Sequence, residues 1–468
     1  MKGIMEMSNI SDKFKYLFFE HADNEFIIDT TNNNKIYTYG EFFNIVLNFS
    51  EFLLNKGVSK GISICYVAEN SALTLALEIA TLILNAKIAL IDPMKGEEEI
   101  SNIISRVNPK LILRLEDLKN ISIKNIKPNK AVFEEINYSV PYLITFTSGS
   151  TAEAKGVVNS FENLYLSAME FGNEFNLCSK NTFYHNFPMA YMAGVLNTFI
   201  KPLFFECKIV VAQRLSFMTA LGFWGEIQKY NVDCFWINPT YVATLLKLDR
   251  DVKNSQYTKN HNITIFCGTA ALDSSLKQKF EEKYGTKLYE SYGLSETLFI
   301  STNVPGRDIK NSVGKILKSV DINLSNENEI QIKTPWMFLG YIGKEPVLKE
   351  NYFRTGDIGK IKDGNLYITG RLSDIIIKGG VNISPKRISE FVGRYVDEFA
   401  ILGLRDKFLG EKIACFYAGE LNTKNINSNI IKNLGKDYSI DEFYQLKELP
   451  KNINGKIDKM KLKLEYTK

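Results

Sequence analysis

Between Tyr39 and Ile91 the chain switches twice between helical and strand periodicity, and this constrains the fold more than any other feature. "YGEFFNIVLNFSEFLLNK" repeats apolar residues at helical spacing and stops at Gly57, in the position of a helix C-cap. "ISICYV" follows as a β-branched strand, then a helix over 72–84, then "KIALI" as another strand. Helices alternating with apolar strands predict an α/β protein with a largely parallel, buried sheet. "PKLIL" and "YLITFT" continue the pattern. A helical "FENLYLSAMEFGNEF" then precedes strands at "KIVVA", "DCFWI" and "ITIFCG", with amphipathic helices at "TALGFWGEIQKY" and "SSLKQKFEEKYG".

Past Gly293 the texture changes. "VDINLSN", "NEIQIKT" and "GNLYITG" are short alternating strands, with "KDGN" as a hairpin turn, and they predict a small antiparallel β unit. A second shift falls near Arg371–Asp374, without a Pro- or Ser-rich linker. The expectation is a large N-terminal domain, 1–371, of mixed α/β sheets with a small β unit. A short hinge joins it to a small mobile C-terminal α+β domain, 372–468.

The chain carries 57 basic and 53 acidic residues, too even a balance to call for nucleic acid. From Asp374 to Lys468 there are 17 basic and 13 acidic residues, so the whole excess lies at that end. No two of the six cysteines fall at CxxC spacing, and the three histidines form no ligand motif, which argues against zinc. "MKGIMEMSNISDKFKY" lacks the apolar core of a signal peptide. The apolar window 72–91 is broken by Glu78, Asn85 and Lys87 and does not read as a membrane span. A cytoplasmic location is expected.

Four stretches carry candidate chemistry. In "TSGSTAEAKGV", small hydroxylic residues and Gly bring N–H and O–H donors close to an anion, and Lys155 adds charge. It is not a Walker A loop, because Ala154 precedes Lys155 and Gly156 follows it. A capped strand-to-helix turn explains the same residues equally well. In "YESYGLSETLF", Tyr292 offers a flat face, Gly293 a sharp turn, Ser295 a hydroxyl and Glu296 a hard oxygen ligand suited to Mg²⁺. A strand ending in a turn and a capped helix is the plain alternative. In "YFRTGDIGKI…LYITGRLSDIIIKGG", Asp357 sits in a Thr-Gly-Asp turn where a carboxylate can accept ribose hydroxyls within reach of Arg371. The plain alternative is two hairpin turns. In "PKNINGKID", Lys456 follows Gly455 within a basic tail.

In this order and at these separations, the four stretches resemble the adenylate-forming (AMP-binding) enzymes: acyl-CoA synthetases, peptide-synthetase adenylation domains and luciferases. The resemblance runs from about Tyr37 to the C-terminus. It implies ATP-dependent activation of a carboxylic acid as an acyl-adenylate, release of pyrophosphate, and transfer of the acyl group to the pantetheine thiol of coenzyme A or a carrier protein. It implies that Thr147, Ser148, Gly149, Ser150, Thr151 and Lys155 cradle the β- and γ-phosphates. Tyr292 and Gly293 would serve adenine, Asp357 and Arg371 the ribose, Ser295 the α-phosphate and Glu296 the Mg²⁺. Lys456 would bridge carboxylate and α-phosphate. Rotation of the small domain about Ser373 would then bring Gly380 to the thiol path. The chain departs from the family's commonest pattern at Ala152 and Ala154, where Gly and Pro are usual. Ser295 stands in place of Thr, and Ser373 in place of Asp or Lys.

"NFPMAYMAGVLNTF" resembles the family's substrate-pocket segment, with Tyr191 where acyl- and aryl-CoA ligases often carry His. No acidic residue occurs over 181–199 to pair a substrate amine, which favours a non-amino acid. The candidate pocket residues are Tyr191, Met192, Gly194, Asn238, Gly268 and Thr269. Asn238, Thr269 and Ser291 either bond a polar substituent or satisfy local backbone. An amino-acid–carrier-protein ligase and a non-catalytic adenylate-binding relative are the competing readings.

Overall fold

The computed structural model describes residues 9–147, 155–348, 350–378, 381–406, 408–451 and 457–466. The expected alternation is present. Thr38 starts the helix Tyr39–Asn55 with a capping box: its hydroxyl accepts from the Glu41 N–H and the Glu41 carboxylate accepts from its own N–H. Gly57 ends the helix with φ +80°. The strands Ser63–Val67, Lys87–Ile91 and Pro141–Thr147 lie in one six-stranded sheet with Leu111–Leu113, all parallel. The helix Ala72–Ile83 connects the first two and is buried along nearly its full length.

A second sheet of thirteen strands has a parallel centre: Glu25–Asp29, Lys208–Val211, Thr182–His185, Cys234–Ile237, Thr264–Cys267 and Leu288–Leu294. The small antiparallel unit expected past Gly293 is not separate. Its strands extend this sheet, because Leu298–Thr302 folds back antiparallel on Leu288–Leu294 and carries the rest with it. The "KDGN" turn is present, with Asp363 and Gly364 both at positive φ between paired Lys362 and Asn365. The predicted helix over "TALGFWGEIQKY" is two short ones, Phe217–Ala220 and Phe223–Lys229, with Gly222 between them.

The principal apolar core lies between these two sheets and takes side chains from both. Residues 376–446 form a third sheet of five strands with an apolar cluster of their own. They touch the preceding residues through the Ser384 hydroxyl, which donates to the Thr369 carbonyl of the strand Asn365–Arg371 (2.8 Å), and through Asp397, which pairs with Lys279 of the helix Ser274–Tyr284 (2.7 Å). Among the described residues, no helix is long and apolar enough to cross a membrane.

The Thr38 capping box predicts that Thr38→Ala costs about 1 kcal/mol of stability, read by urea denaturation. An unchanged midpoint would show that packing alone fixes the start of this helix.

Candidate active site

"YESYGLSETLF" is a β-hairpin, not the strand-to-helix junction offered as its plain alternative. Ser295, Glu296 and Thr297 form the tip between Leu288–Leu294 and Leu298–Thr302. Gly293 permits the tight return: a Cβ there would lie 2.1 Å from the Leu298 carbonyl oxygen. The tip is tied down on two sides. Asn159 Nδ2 donates to the Ser295 carbonyl (3.1 Å), the Phe338 N–H donates to the Glu296 carbonyl (2.9 Å), and Trp336 Nε1 donates to the Thr297 carbonyl (2.9 Å).

The Thr-Gly-Asp stretch likewise differs from a hairpin turn. It is a bulge within the continuous strand Phe353–Lys362, where the register against Glu329–Lys333 shifts. Gly356 takes φ +72° and Asp357 turns inward, only 5% exposed. The Asp357 carboxylate is held at both oxygens. Arg371 Nε donates to Oδ1 (2.6 Å) and the Tyr292 hydroxyl donates to Oδ2 (2.6 Å). Burial first and the Asp357 charge second push the Tyr292 phenol well above its ordinary pKa, which keeps it a donor.

Tyr341 belongs to none of the four sequence motifs. Its hydroxyl donates to Glu296 Oε1 (2.9 Å), and Lys155 Nζ sits 5.5 Å from its ring centroid. It therefore joins two expected site residues. Thr147 and Lys155 face each other as a registered pair in the antiparallel strands Pro141–Thr147 and Lys155–Ser160. The phosphate-loop motif thus spans a strand-to-strand connection, where a strand-to-helix turn was the alternative. Val157 and Val158 continue the strand, and the helix begins only at Phe161, capped by the Ser160 hydroxyl. Ser148, Gly149, Ser150 and Thr151, with Ala152 and Ala154, lie outside the described residues, as do Gly380 and Lys456.

Three of the pocket candidates lie at the carboxyl ends of parallel strands, the usual ligand edge of such sheets. Asn238 follows Cys234–Ile237, and Gly268 and Thr269 follow Thr264–Cys267. Gly268 lies beside Ser291: a Cβ on it would be 3.1 Å from Ser291 Oγ. Tyr191 and Met192 lead into a π-helix, Ala193–Ile200, whose second residue is Gly194. Asn238 Oδ1 accepts from the Tyr241 N–H (2.8 Å) and the Ser291 hydroxyl donates to the Cys267 carbonyl (3.5 Å), so both serve local backbone. Ser373 lies in the one-turn helix Leu372–Asp374, and its neighbour Asp374 pairs with Lys459 (2.6 Å).

The doubly held carboxylate predicts unequal costs. Tyr292→Phe removes one hydrogen bond, about 1 kcal/mol. Asp357→Ala strands a guanidinium and a buried phenol together, about 2–3 kcal/mol. Chemical denaturation of both variants checks this, and equal costs would contradict a shared acceptor.

Residues 18–342 match the AMP-binding enzyme family. The chain is 28% identical over 350 residues to the sulfoacetate–CoA ligase of Cupriavidus necator, covering 69% of this chain and 66% of that one. It is 24% identical over 455 residues to the 2-succinylbenzoate–CoA ligase of Listeria monocytogenes, covering 92% and 94%. It is 24% identical to the malonate–CoA ligase of Arabidopsis thaliana, covering 98% and 89%. The fold is similar to that of ATP-bound MatB from Rhodopseudomonas palustris, with TM-score 0.84 and 19% identity over 98% and 99% of the two chains. It is also similar to o-succinylbenzoate CoA synthetase from Bacillus subtilis in complex with its acyl-adenylate intermediate, with TM-score 0.81 and 22% identity over 97% of each. The hairpin tip, the buried carboxylate and the family match agree: the chain belongs to the AMP-binding enzyme family, the adenylate-forming ligases that join an acid to a thiol.

Proposed function

We propose that this ATP-dependent, AMP-forming ligase takes a compact, non-amino carboxylic acid bearing a second acidic group, with coenzyme A as the thiol acceptor. The observation that carries the reading is one hairpin presenting two functions. Near its base Tyr292 meets Asp357 and Arg371, and at its tip Glu296 meets Tyr341 beside Lys155. A nucleotide laid along it would set ribose at one end and phosphates at the other. The relatives named for sulfoacetate, 2-succinylbenzoate and malonate support the acid class, since each of those acids carries a second acidic group.

In this reading Asp357 and Arg371 hold the ribose hydroxyls, and the Tyr292 ring stacks on adenine while its hydroxyl stays on Asp357. Ser295 contacts the α-phosphate. Thr147, Ser148, Gly149, Ser150, Thr151 and Lys155 supply donors and charge to the leaving pyrophosphate. The chemical problem is that two anions must meet, so donors fixed before the reaction lower the barrier by offsetting the charge that develops. Among the described residues no group of three or more His, Cys, Asp or Glu could hold a metal. Glu296 has one oxygen on Tyr341, which fits Mg²⁺ held by a single carboxylate together with phosphate oxygens and water. Bound there, the ion would offset phosphate charge.

The segment 372–468 acts as a lid on 1–371. It presents Lys456 to the carboxylate and α-phosphate in the first step. It then turns about Ser373 to place Gly380 along the pantetheine path in the second. A carrier protein would present the same arm and is the alternative acceptor.

Three results test this. Mass spectrometry of a panel of acids with ATP and coenzyme A should detect thioesters of short diacids. Products confined to amino acids would overturn the acid class. Lys456→Ala should abolish pyrophosphate exchange yet largely spare thioester formation from supplied acyl-adenylate. Gly380→Trp should do the reverse, and equal loss of both half-reactions in either variant would contradict the lid.

A further inference from the structure

Lys201 follows directly on the π-helix Ala193–Ile200 and is fully buried. Its Nζ stands 4.1 Å from the centroid of Phe266 and 4.9 Å from those of Phe171, Phe183 and Trp236. It has no hydrogen-bond partner among the described residues. Burial lowers its pKa to about 7, while four ring faces attract a cation. Such a cage holds an ammonium but supplies no counter-charge.

Two further buried nitrogens on the same side of the sheet lack partners. Trp236 Nε1 has none, and Trp236 is 1% exposed. His185 Nε2 has none either. The Thr198 hydroxyl lies 3.0 Å from the Gly194 carbonyl and 3.1 Å from His185 Nδ1. With its one proton given to the carbonyl, that hydroxyl accepts from Nδ1–H and leaves Nε2 a bare acceptor. Parallel register sets Cys234 beside Phe183 and Trp236 beside Phe266. Alternate residues share a face, so His185, Trp236, Phe266 and Gly268 line one surface beneath the π-helix. Gly268 is buried at the end of that surface, and Thr269 beyond it is exposed. A Cβ there would stand 3.3 Å from Trp236 Cζ3, so one indole ring separates the pocket residue from the caged lysine. Buried polar atoms in folded proteins are almost always paired, and three unpaired ones, two on the sheet and one at the end of the helix over it, call for an absent partner.

We infer that Trp236 and Lys201 form the closed end of the acyl pocket and receive the second anionic group of the acid. This rests on the ligase reading above and deepens it. The indole N–H donates to the anion, and the ammonium supplies the opposite charge. Trp236 also sets the depth, so the acid is short. Lys201 is a specificity-determining residue and takes no part in adenylation.

The test is calorimetric titration of the full chain, with a non-hydrolysable ATP analogue present, against malonate and sulfoacetate and against propionate and butyrate. Wild type should bind the dianions at least about tenfold more tightly, the scale of one charge pair in a partly screened interior. Lys201→Met, which keeps the volume, should bring the two classes within about threefold, with Trp236→Phe intermediate. Equal binding of both classes by wild type, binding of neither, or an undiminished ratio in Lys201→Met would overturn the inference. If Lys201→Met does not fold, the wild-type ratio and Trp236→Phe decide. Dianion preference without thioester formation would sink the ligase reading and leave this one standing.

Discussion

The site depends on one shared carboxylate. Asp357 is buried, and each of its oxygens is taken by a residue from a different strand, Tyr292 on one side and Arg371 on the other. Removing water from a carboxylate is costly, and here two donors meet that cost in place. The result fixes the spacing between the Leu288–Thr302 hairpin and the strand Asn365–Arg371. Glu296 inherits its position from the same hairpin, through Gly293 and the backbone bonds from Asn159, Trp336 and Phe338. The groups proposed to meet ribose and phosphates, Tyr292 and Glu296, are thereby set by one hairpin.

Much of this was legible in the sequence because the motifs are local. Tyr292 and Glu296 are four residues apart, and Thr147 and Lys155 flank one loop. Asp357 and Arg371 are partners across one hairpin, so a motif reading places each pair together. Backbone geometry was less legible. The same small residues suit a helix cap, a hairpin tip or a bulge, and tertiary pairing decides among them. "SGSTAEAK" leads into a strand because Val157 and Val158 pair with Pro141–Thr147. The Thr-Gly-Asp stretch became a bulge because Glu329–Lys333 and Asn365–Arg371 hold the strand on both sides.

Tyr341 and Lys201 were not legible. Tyr341 reaches Glu296 across 45 positions, and nothing near it in the chain marks it as a site residue. Lys201 looks in sequence like a surface lysine at a helix end. Its burial follows only from four aromatic residues on separate elements closing around it. Charge placed inside an aromatic core is uncommon because it is costly, so such a residue points to a binding role more strongly than an exposed one does.

In the proposed reaction the acid's own oxygen attacks the α-phosphorus of ATP. Its most direct test is the fate of a labelled oxygen. With a turned-over acid carrying ¹⁸O in its carboxylate, mass spectrometry of the products should find one labelled oxygen in AMP and none in pyrophosphate. Label in inorganic phosphate, or unlabelled AMP alongside thioester, would contradict an acyl-adenylate and with it the role assigned to this site.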